Sequence, residues 1–231
     1  MAKPDPETVK LIAQCAARRY EYVYAASIPS KLSVSELSHG EKSGRDFGRT
    51  PSFARGGELT AAQRGTAAHT FMQFADYGRA EADVTQELDR MRDEGYLTPA
   101  QRDIIDEAHL VRFFESDIYA RMKRSTELHR EFRFLYNERA SALGFEGGDR
   151  VTVQGIADCI FVEDGGLVVV DYKTDRVKSP SQLVERYHRQ LEIYAEVLSQ
   201  SFGVPVREAV IYSLYLDCEV VVGLAKQGEM C

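Results

Sequence analysis

The fold is indicated by residues 150–174, which read RVTVQGIADCIFVEDGGLVVVDYKT. Two runs rich in valine and isoleucine, residues 150–162 and 167–174, are typical of β-strands. The dipeptide Asp164-Gly165 between them is typical of a two-residue hairpin turn, because a type I′ turn needs positive φ at both central positions. The segment therefore predicts two antiparallel strands joined by a tight turn.

Counting outward from this turn places Asp158 opposite Asp171 and Ile156 opposite Lys173. Directly opposed side chains lie close together on one face of a sheet, so two carboxylates placed there repel each other. A hard divalent cation would compensate, since it prefers oxygen ligands. The strand period of two places the Lys173 ammonium on the face of Asp171. A cation beside a lysine suits hydrolysis of a phosphodiester, because both stabilise developing negative charge.

A structural alternative remains open for the same residues. An aspartate at the end of a strand, followed by a lysine, is often a surface ion pair or part of a turn. A slip of one residue in the strand pairing would also move Asp158 away from Asp171.

The rest of the chain predicts helices first and strands later. Apolar spacing and capping signals indicate helices at residues 6–26, from Thr60 to about 78, at 81–94 and, opened by Thr98-Pro99, from 99 to about 114. A polar, glycine-rich loop is expected at about 39–58, strands at 128–136 and about 207–217, and a helix at about 181–201. We therefore expect an α+β fold with a central mixed β-sheet flanked by helices. Its helical N-terminal part would span residues 1–125 and its core residues 126–231.

The composition is typical of a globular protein. The chain lacks the excess of positive charge that is typical of proteins that bind nucleic acid non-specifically. Of its 231 residues 44% are hydrophobic, and its formal net charge is −7. Non-specific DNA binding depends on cationic side chains, but a bound divalent cation would offset local carboxylates, so a nuclease is not excluded. No apolar run approaches the roughly 20 residues of a membrane span, and the first residues lack a signal-peptide pattern. We expect a cytoplasmic protein without a membrane partner.

Two kinds of cofactor site are not expected from the sequence. Cys15, Cys159, Cys218 and Cys231 are not spaced as C-x-x-C, which argues against a zinc site or an iron–sulfur cluster. The phosphate-binding pattern G-x-x-x-x-G-K-[ST] does not occur either, so no ATP site is expected in this chain.

The hairpin residues resemble the core motif of the PD-(D/E)xK nuclease superfamily, and its RecB-type branch in particular. That motif is carried by Gly155-Ile156-Ala157-Asp158 on the first strand and by Asp171-Tyr172-Lys173 at the end of the second. Gln190 and Tyr194 reproduce the Q-x-x-x-Y helix motif of this branch. The segment from Arg64 to His69 resembles its upstream helix, whose histidine binds metal.

Two shorter segments narrow the resemblance to the C-terminal nuclease domains of the AddA family of helicase–nuclease proteins. They are Ser33-Val34-Ser35-Glu36-Leu37 and Glu131-Phe132-Arg133-Phe134. The resemblance runs from about residue 31 to residue 222. The chain lacks the four-cysteine cluster found in other relatives of this branch, which favours the AddA side.

The resemblance implies a restriction-endonuclease-like fold and a divalent-metal-dependent deoxyribonuclease. The implied catalytic residues are Asp158, Asp171, Lys173, Gln190 and Tyr194. The implied ligands of Mg²⁺, for which Mn²⁺ substitutes, are His69, Asp158, Asp171 and the backbone carbonyl of Tyr172. The resemblance further implies 3′-to-5′ exonuclease action on DNA single strands in double-strand-break repair and recombination. An AddB-like partner would supply those strands, together with a helicase part of the same polypeptide if the chain is an excised domain rather than a stand-alone relative.

Other interpretations remain for several of these residues. Taken alone, His69 and Tyr194 are typical of a helix face in a core, and Glu131 is either an exposed charge or a support for the metal site. A catalytically inactive DNA-binding or scaffolding module is the alternative function. It is disfavoured because a site that has lost activity usually lacks one of its catalytic groups, whereas Asp158, Asp171 and Lys173 are all present. A glycosidase using Asp158 and Asp171 as its carboxylate pair is a third possibility, which Lys173 and the upstream histidine disfavour.

Overall fold

The computed structural model describes residues 28–39 and 61–224, together with residues 5, 7, 9 and 10. The expected cap at Thr60 therefore lies outside the described residues, as do most of the expected helix at 6–26 and of the expected loop at 39–58. The chain forms two compact units. The smaller comprises Met1–Leu32 and Asn137–Val153, and the larger comprises Ser33–Tyr136 and Gln154–Cys231. The expected division near residue 125 stays a proposal.

Within the described residues, the regular structure comprises eight α-helices, a 3₁₀ helix (Ala140–Leu143) and one mixed sheet of six strands. The helices are α1 (Val34–His39), α2 (Ala61–Phe74), α3 (Tyr77–Ala82), α4 (Val84–Asp93), α5 (Pro99–Ile104), α6 (Glu107–Phe114), α7 (Asp117–Arg124) and α8 (Pro180–Phe202). The strands are β1 (Lys31–Ser33), β2 (Leu128–Arg139), β3 (Arg150–Glu163), β4 (Gly166–Lys173), β5 (Val206–Ser213) and β6 (Cys218–Val222). The strand order is β1-β3-β4-β5-β6, and β2 pairs with β3. The predicted α+β class with a mixed sheet is confirmed.

The hairpin of β3 and β4 has the predicted register. The two strands are antiparallel, and their pairs run from Glu163 opposite Gly166 to Cys159 opposite Val170. Asp164 and Gly165 have φ angles of 48° and 75°, the positive values that a type I′ turn requires. The next residues outward along the two strands are Asp158 and Asp171, which therefore reach the same end of the hairpin.

A parallel pairing places β5 beside β4, with Asp171 next to Ile211 and Lys173 next to Ser213. Parallel neighbours need a long crossover connection, and α8 provides it. Side chains of β4 alternate between two helical layers. On one face, Phe113 of α6 makes edge-to-face contacts with Tyr172 and Tyr212, at ring-centroid distances of 5.6 and 5.1 Å. The opposite face of β4 carries Asp171 toward α8.

Two predicted helices are shorter than expected, and aspartates explain why. The predicted helix from 60 to about 78 is wrong at its end: α2 stops at Phe74, and Asp76 accepts hydrogen bonds from the first backbone amides of α3. The predicted helix from 99 to about 114 begins as expected with a Thr98 capping box. It is nevertheless broken after Ile104, because Asp106 caps α6. An aspartate side chain satisfies the otherwise unpaired amides of a new first turn.

The end of the sheet also differs from the prediction. A single strand at about 207–217 is wrong, because β5 ends at Ser213 and β6 returns antiparallel from Cys218. Asp217, with φ 52°, lies in the turn between them. Helix α7 was not predicted. Among the described residues, none of the helices is both long and apolar enough to cross a bilayer.

Gly155 makes room for a core aromatic ring beside the candidate site. A Cβ atom at this position would lie 2.1 Å from Cζ of Phe134, and Phe134 packs edge-to-face against Tyr194 at 5.5 Å. Gly155→Ala is therefore expected to lower the free energy of unfolding by about 1–3 kcal/mol through overpacking. Urea denaturation measures this loss. Gly148→Ala is the control, since nothing lies within 4 Å of its added Cβ, and an equal loss in both variants would contradict the argument.

Candidate active site

Two carboxylates and one ammonium meet where β3 and β4 leave the hairpin ladder. Oδ2 of Asp158 accepts a hydrogen bond from the backbone amide of Tyr172 at 2.8 Å. Lys173 Nζ lies 2.6 Å from Oδ2 of the buried Asp171. Burial raises the pKa of Asp171, even though the charge of Lys173 opposes this shift. Burial lowers the pKa of Lys173, but the charges of Asp171 and Asp158 outweigh it, and the net shift is upward.

His69 approaches this pair of strands from α2. Its Nδ1 atom lies 3.3 Å from Oδ1 of Asp158, and its side chain is 31% exposed. Burial disfavours the charged imidazole, but the hydrogen bond and charge of Asp158 prevail and raise the pKa of His69. The Gly65 backbone comes close to the end of β4, where an added Cβ would lie 3.2 Å from Thr174 Oγ1. This close approach allows α2 to place His69 over the hairpin.

Glu131 completes a group of three possible metal ligands. One ligand atom from each of His69, Glu131 and Asp158 lies within 4.8 Å of the other two. Glu131 has a φ of 54° inside β2, and such a left-handed conformation costs a non-glycine residue about 1–3 kcal/mol. Burial and the charge of Asp158 both raise the pKa of Glu131. The strained backbone at Glu131 thus holds its carboxyl group near that of Asp158.

Gln190 and Tyr194 connect α8 to both strands. Nε2 of Gln190 donates to Asp171 Oδ1 at 3.3 Å and to the Tyr194 hydroxyl at 2.9 Å. The Tyr194 hydroxyl in turn donates to the backbone carbonyl of Ile156 at 2.7 Å. The buried amide of Gln190 therefore has partners, as a buried polar group requires. Gln190 and Tyr194 thus contact the Asp171 carboxylate and the Ile156 carbonyl. Neither residue belongs to the group of three close ligand atoms.

The residues chosen from the sequence are thus brought together, with two qualifications. Asp171 is not a member of the His69, Glu131 and Asp158 group, and its carboxylate is paired with Lys173. The side chain of Tyr172 is buried on the opposite face of the sheet against Phe113, so only its backbone faces the hairpin end.

Sequence reasoning did not identify Tyr187, whose ring lies 4.3 Å from Lys173 Nζ. An aromatic residue on an apolar helix face is typical of a core, and this concealed its contact with the site. Its spacing of three residues from Gln190 is the signal that places it on the same face of α8.

These residues fit a divalent cation. Glu131 and Asp158 offer carboxylate oxygens and His69 an imidazole nitrogen within one small volume, a donor set suited to Mg²⁺ or Mn²⁺. Burial is the main cause of the raised pKa values of Glu131 and Asp171, and the charge of Asp158 adds to both shifts. Ionised carboxylates so close together need a further positive charge.

Comparisons with known proteins show the family of the chain. The model of the PD-(D/E)XK nuclease superfamily matches residues 31–229. The ATP-dependent helicase/nuclease subunit of Alkaliphilus metalliredigens is 32% identical over 216 residues, covering 86% of this chain and 18% of that protein. The protein of the same name from Acetivibrio thermocellus is 34% identical over 238 residues, covering 90% of this chain and 18% of that protein. The solved structure of SSO0001 is 16% identical, with a TM-score of 0.39, and covers 94% of this chain and 75% of that one.

The chain therefore spans about 18% of the length of these curated relatives. The family model, in contrast, matches residues 31–229, a range that contains the candidate site. With its mixed sheet, flanking helices and paired strand-end carboxylates, the chain belongs to the PD-(D/E)xK nuclease superfamily and has its restriction-endonuclease-like fold.

Proposed function

We propose that this chain is a divalent-metal-dependent deoxyribonuclease that hydrolyses phosphodiester bonds in DNA single strands. The observation that carries the proposal is the grouping of His69, Glu131 and Asp158 directly beside the buried pair of Asp171 and Lys173. A carboxylate-rich cation site next to a lysine can neutralise charge on both sides of a phosphoryl group.

The proposed metal is Mg²⁺, with Mn²⁺ as a substitute. His69, Asp158, Asp171 and the backbone carbonyl of Tyr172 would hold it, and Glu131 joins them on the strength of its position. When bound, the cation supplies Lewis-acid polarisation of the phosphoryl group. The Tyr172 amide holds Asp158 Oδ2 in place, so this ligand is oriented by the backbone of the neighbouring strand.

The protein side chains perform the remaining tasks. Lys173 orients the attacking water or stabilises charge that develops on the phosphoryl oxygens, and it is well placed for this because its ammonium is held against Asp171. Gln190 fixes the Asp171 carboxylate, and Tyr194 fixes both Gln190 and the Ile156 carbonyl. Through these contacts α8 keeps the site rigid, and its Gln190 and Tyr194 would position the DNA strand.

The relatives suggest the wider setting. They are named as components of an ATP-dependent helicase/nuclease, and we extend that context to this chain as a proposal. The domain would act in the cytoplasm in double-strand-break repair and recombination, as a 3′-to-5′ exonuclease on strands unwound by a helicase part of the same polypeptide. An AddB-like protein would be its partner. The net charge of −7 favours a domain that binds DNA weakly by itself, so such partners would raise the rate of cleavage by delivering DNA.

Glu131→Gln tests the metal site itself. Removing the negative charge while keeping the shape of the side chain should weaken Mn²⁺ binding by about tenfold or more, as measured by isothermal titration calorimetry. Glu138→Gln is the matched control on the same strand, because the Glu138 carboxylate accepts a hydrogen bond from the neighbouring Arg139 amide and is not part of the ligand group. Equal Mn²⁺ affinity in both variants would remove Glu131 from the site. A DNA-binding module that had lost catalysis would show no Mn²⁺ binding that depends on Asp158.

A further inference from the structure

One face of α8 contacts the β3–β4 hairpin at three successive positions. Tyr187, Gln190 and Tyr194 are spaced by three and four residues, so they follow one another along the helix. Gln190 contacts Asp171, and Tyr194 contacts the Ile156 carbonyl. Tyr187 contacts Lys173, and neither the metal site nor the proposed reaction accounts for this contact.

The Tyr187 ring is fixed at both ends. Its face lies under the Lys173 ammonium, with Nζ 4.3 Å from the ring centroid, well within the range of a cation–π interaction. Its hydroxyl donates to Oδ2 of Asp175 at 2.9 Å. Arg186 holds the other oxygen of the same carboxylate at 3.2 Å. Asp175 is two residues beyond Lys173, so the ring bridges the lysine and the segment that follows it.

This ring contact differs in kind from the pairing of Lys173 with Asp171. The attraction of Asp171 for the ammonium depends on the negative charge of its carboxylate, and a cation bound at the site would share that charge. The attraction of an aromatic face does not depend on the state of any carboxylate. A lysine held by both partners would keep the contact with the aromatic ring if the carboxylate also bound a cation.

We propose that Tyr187 is a positioning residue for Lys173, whose ammonium it holds over the reaction site by its ring face. The inference rests on the proposed nuclease function. It predicts that the aromatic ring matters and that the hydroxyl matters much less.

The test compares Tyr187→Leu, Tyr187→Phe and the control Tyr215→Leu, which changes an exposed tyrosine. Cleavage of single-stranded DNA with Mn²⁺ should show kcat about tenfold lower in Tyr187→Leu with KM unchanged, and nearly normal in Tyr187→Phe and Tyr215→Leu. If Tyr187→Leu lowers the unfolding temperature, Tyr187→Met takes its place, since methionine fills the space without an aromatic face.

A second readout needs neither metal nor catalysis. Acetylation of lysines in the metal-free protein, quantified by mass spectrometry, compares Lys173, which is 13% exposed, with the exposed Lys178 as internal reference. Labelling of Lys173 should rise several-fold in Tyr187→Leu but not in Tyr187→Phe. Parent-like kcat and labelling in Tyr187→Leu would overturn the inference, as would equal damage in the phenylalanine variant. If the parent shows no metal-dependent cleavage, the nuclease proposal fails, and the labelling result alone decides the role of Tyr187.

Discussion

Asp171→Ala is expected to abolish metal-dependent DNA cleavage, with a loss of at least about 10³-fold in kcat. The substitution removes the carboxylate that contacts both Lys173 and Gln190. It leaves the ammonium without its closest partner and the proposed cation without one ligand. Steady-state cleavage of labelled single-stranded DNA measures the effect.

The fold should survive this change, because Asp171 faces the candidate site while its neighbours Val170 and Tyr172 pack into the apolar core on the opposite face. Thermal unfolding checks this point, and Asp103→Ala, at an exposed position of α5, is the control for the removal of an acidic side chain. Retained cleavage by a folded Asp171→Ala protein would refute the assignment of this site.

Lys173→Ala is expected to lower kcat by about 10²–10³-fold, the loss typical of removing one donor that stabilises transition-state charge. Mn²⁺ binding should not weaken, because the ammonium is not a ligand and lies 2.6 Å from an Asp171 oxygen that a cation would otherwise attract. Lys173→Arg should restore little, since a planar guanidinium cannot occupy the position of a compact ammonium. Calorimetry and cleavage kinetics on the same samples separate the two effects. A parallel loss of Mn²⁺ affinity would show that Lys173 maintains the structure of the site rather than its chemistry.

The central hairpin could be predicted because local chemistry determines it. Asp164 and Gly165 adopt the positive φ angles that their turn needs, and this turn sets the register of every pair up to Cys159 and Val170.

The helix breaks at Asp76 and Asp106 were missed although aspartate is a strong N-cap residue. The apolar residues on either side maintained helical spacing and concealed the breaks. The turn after Ser213 was hidden in the same way by the apolar stretch that follows it, Leu214-Tyr215-Leu216.

Some residues of the candidate site could also be predicted from local sequence, and others could not. Asp158, Asp171 and Lys173 were predictable because one hairpin carries all three, and Gln190 and Tyr194 because they lie one helical turn apart. Glu131 was left open between an exposed charge and a support for the metal site. Its position near His69 and Asp158 depends on a left-handed backbone angle inside β2 and on where α2 and β3 lie, which a local pattern does not encode.

The most direct test of the account is the release of labelled fragments from linear single-stranded DNA by the purified protein. Reactions would contain Mg²⁺, Mn²⁺ or a chelator, and would compare the parent with Lys173→Ala. We predict cleavage by the parent that requires the metal, and its loss in Lys173→Ala. Cleavage that persists with the chelator, or that is equally fast in Lys173→Ala, would contradict a metal-dependent nuclease centred on Asp158, Asp171 and Lys173.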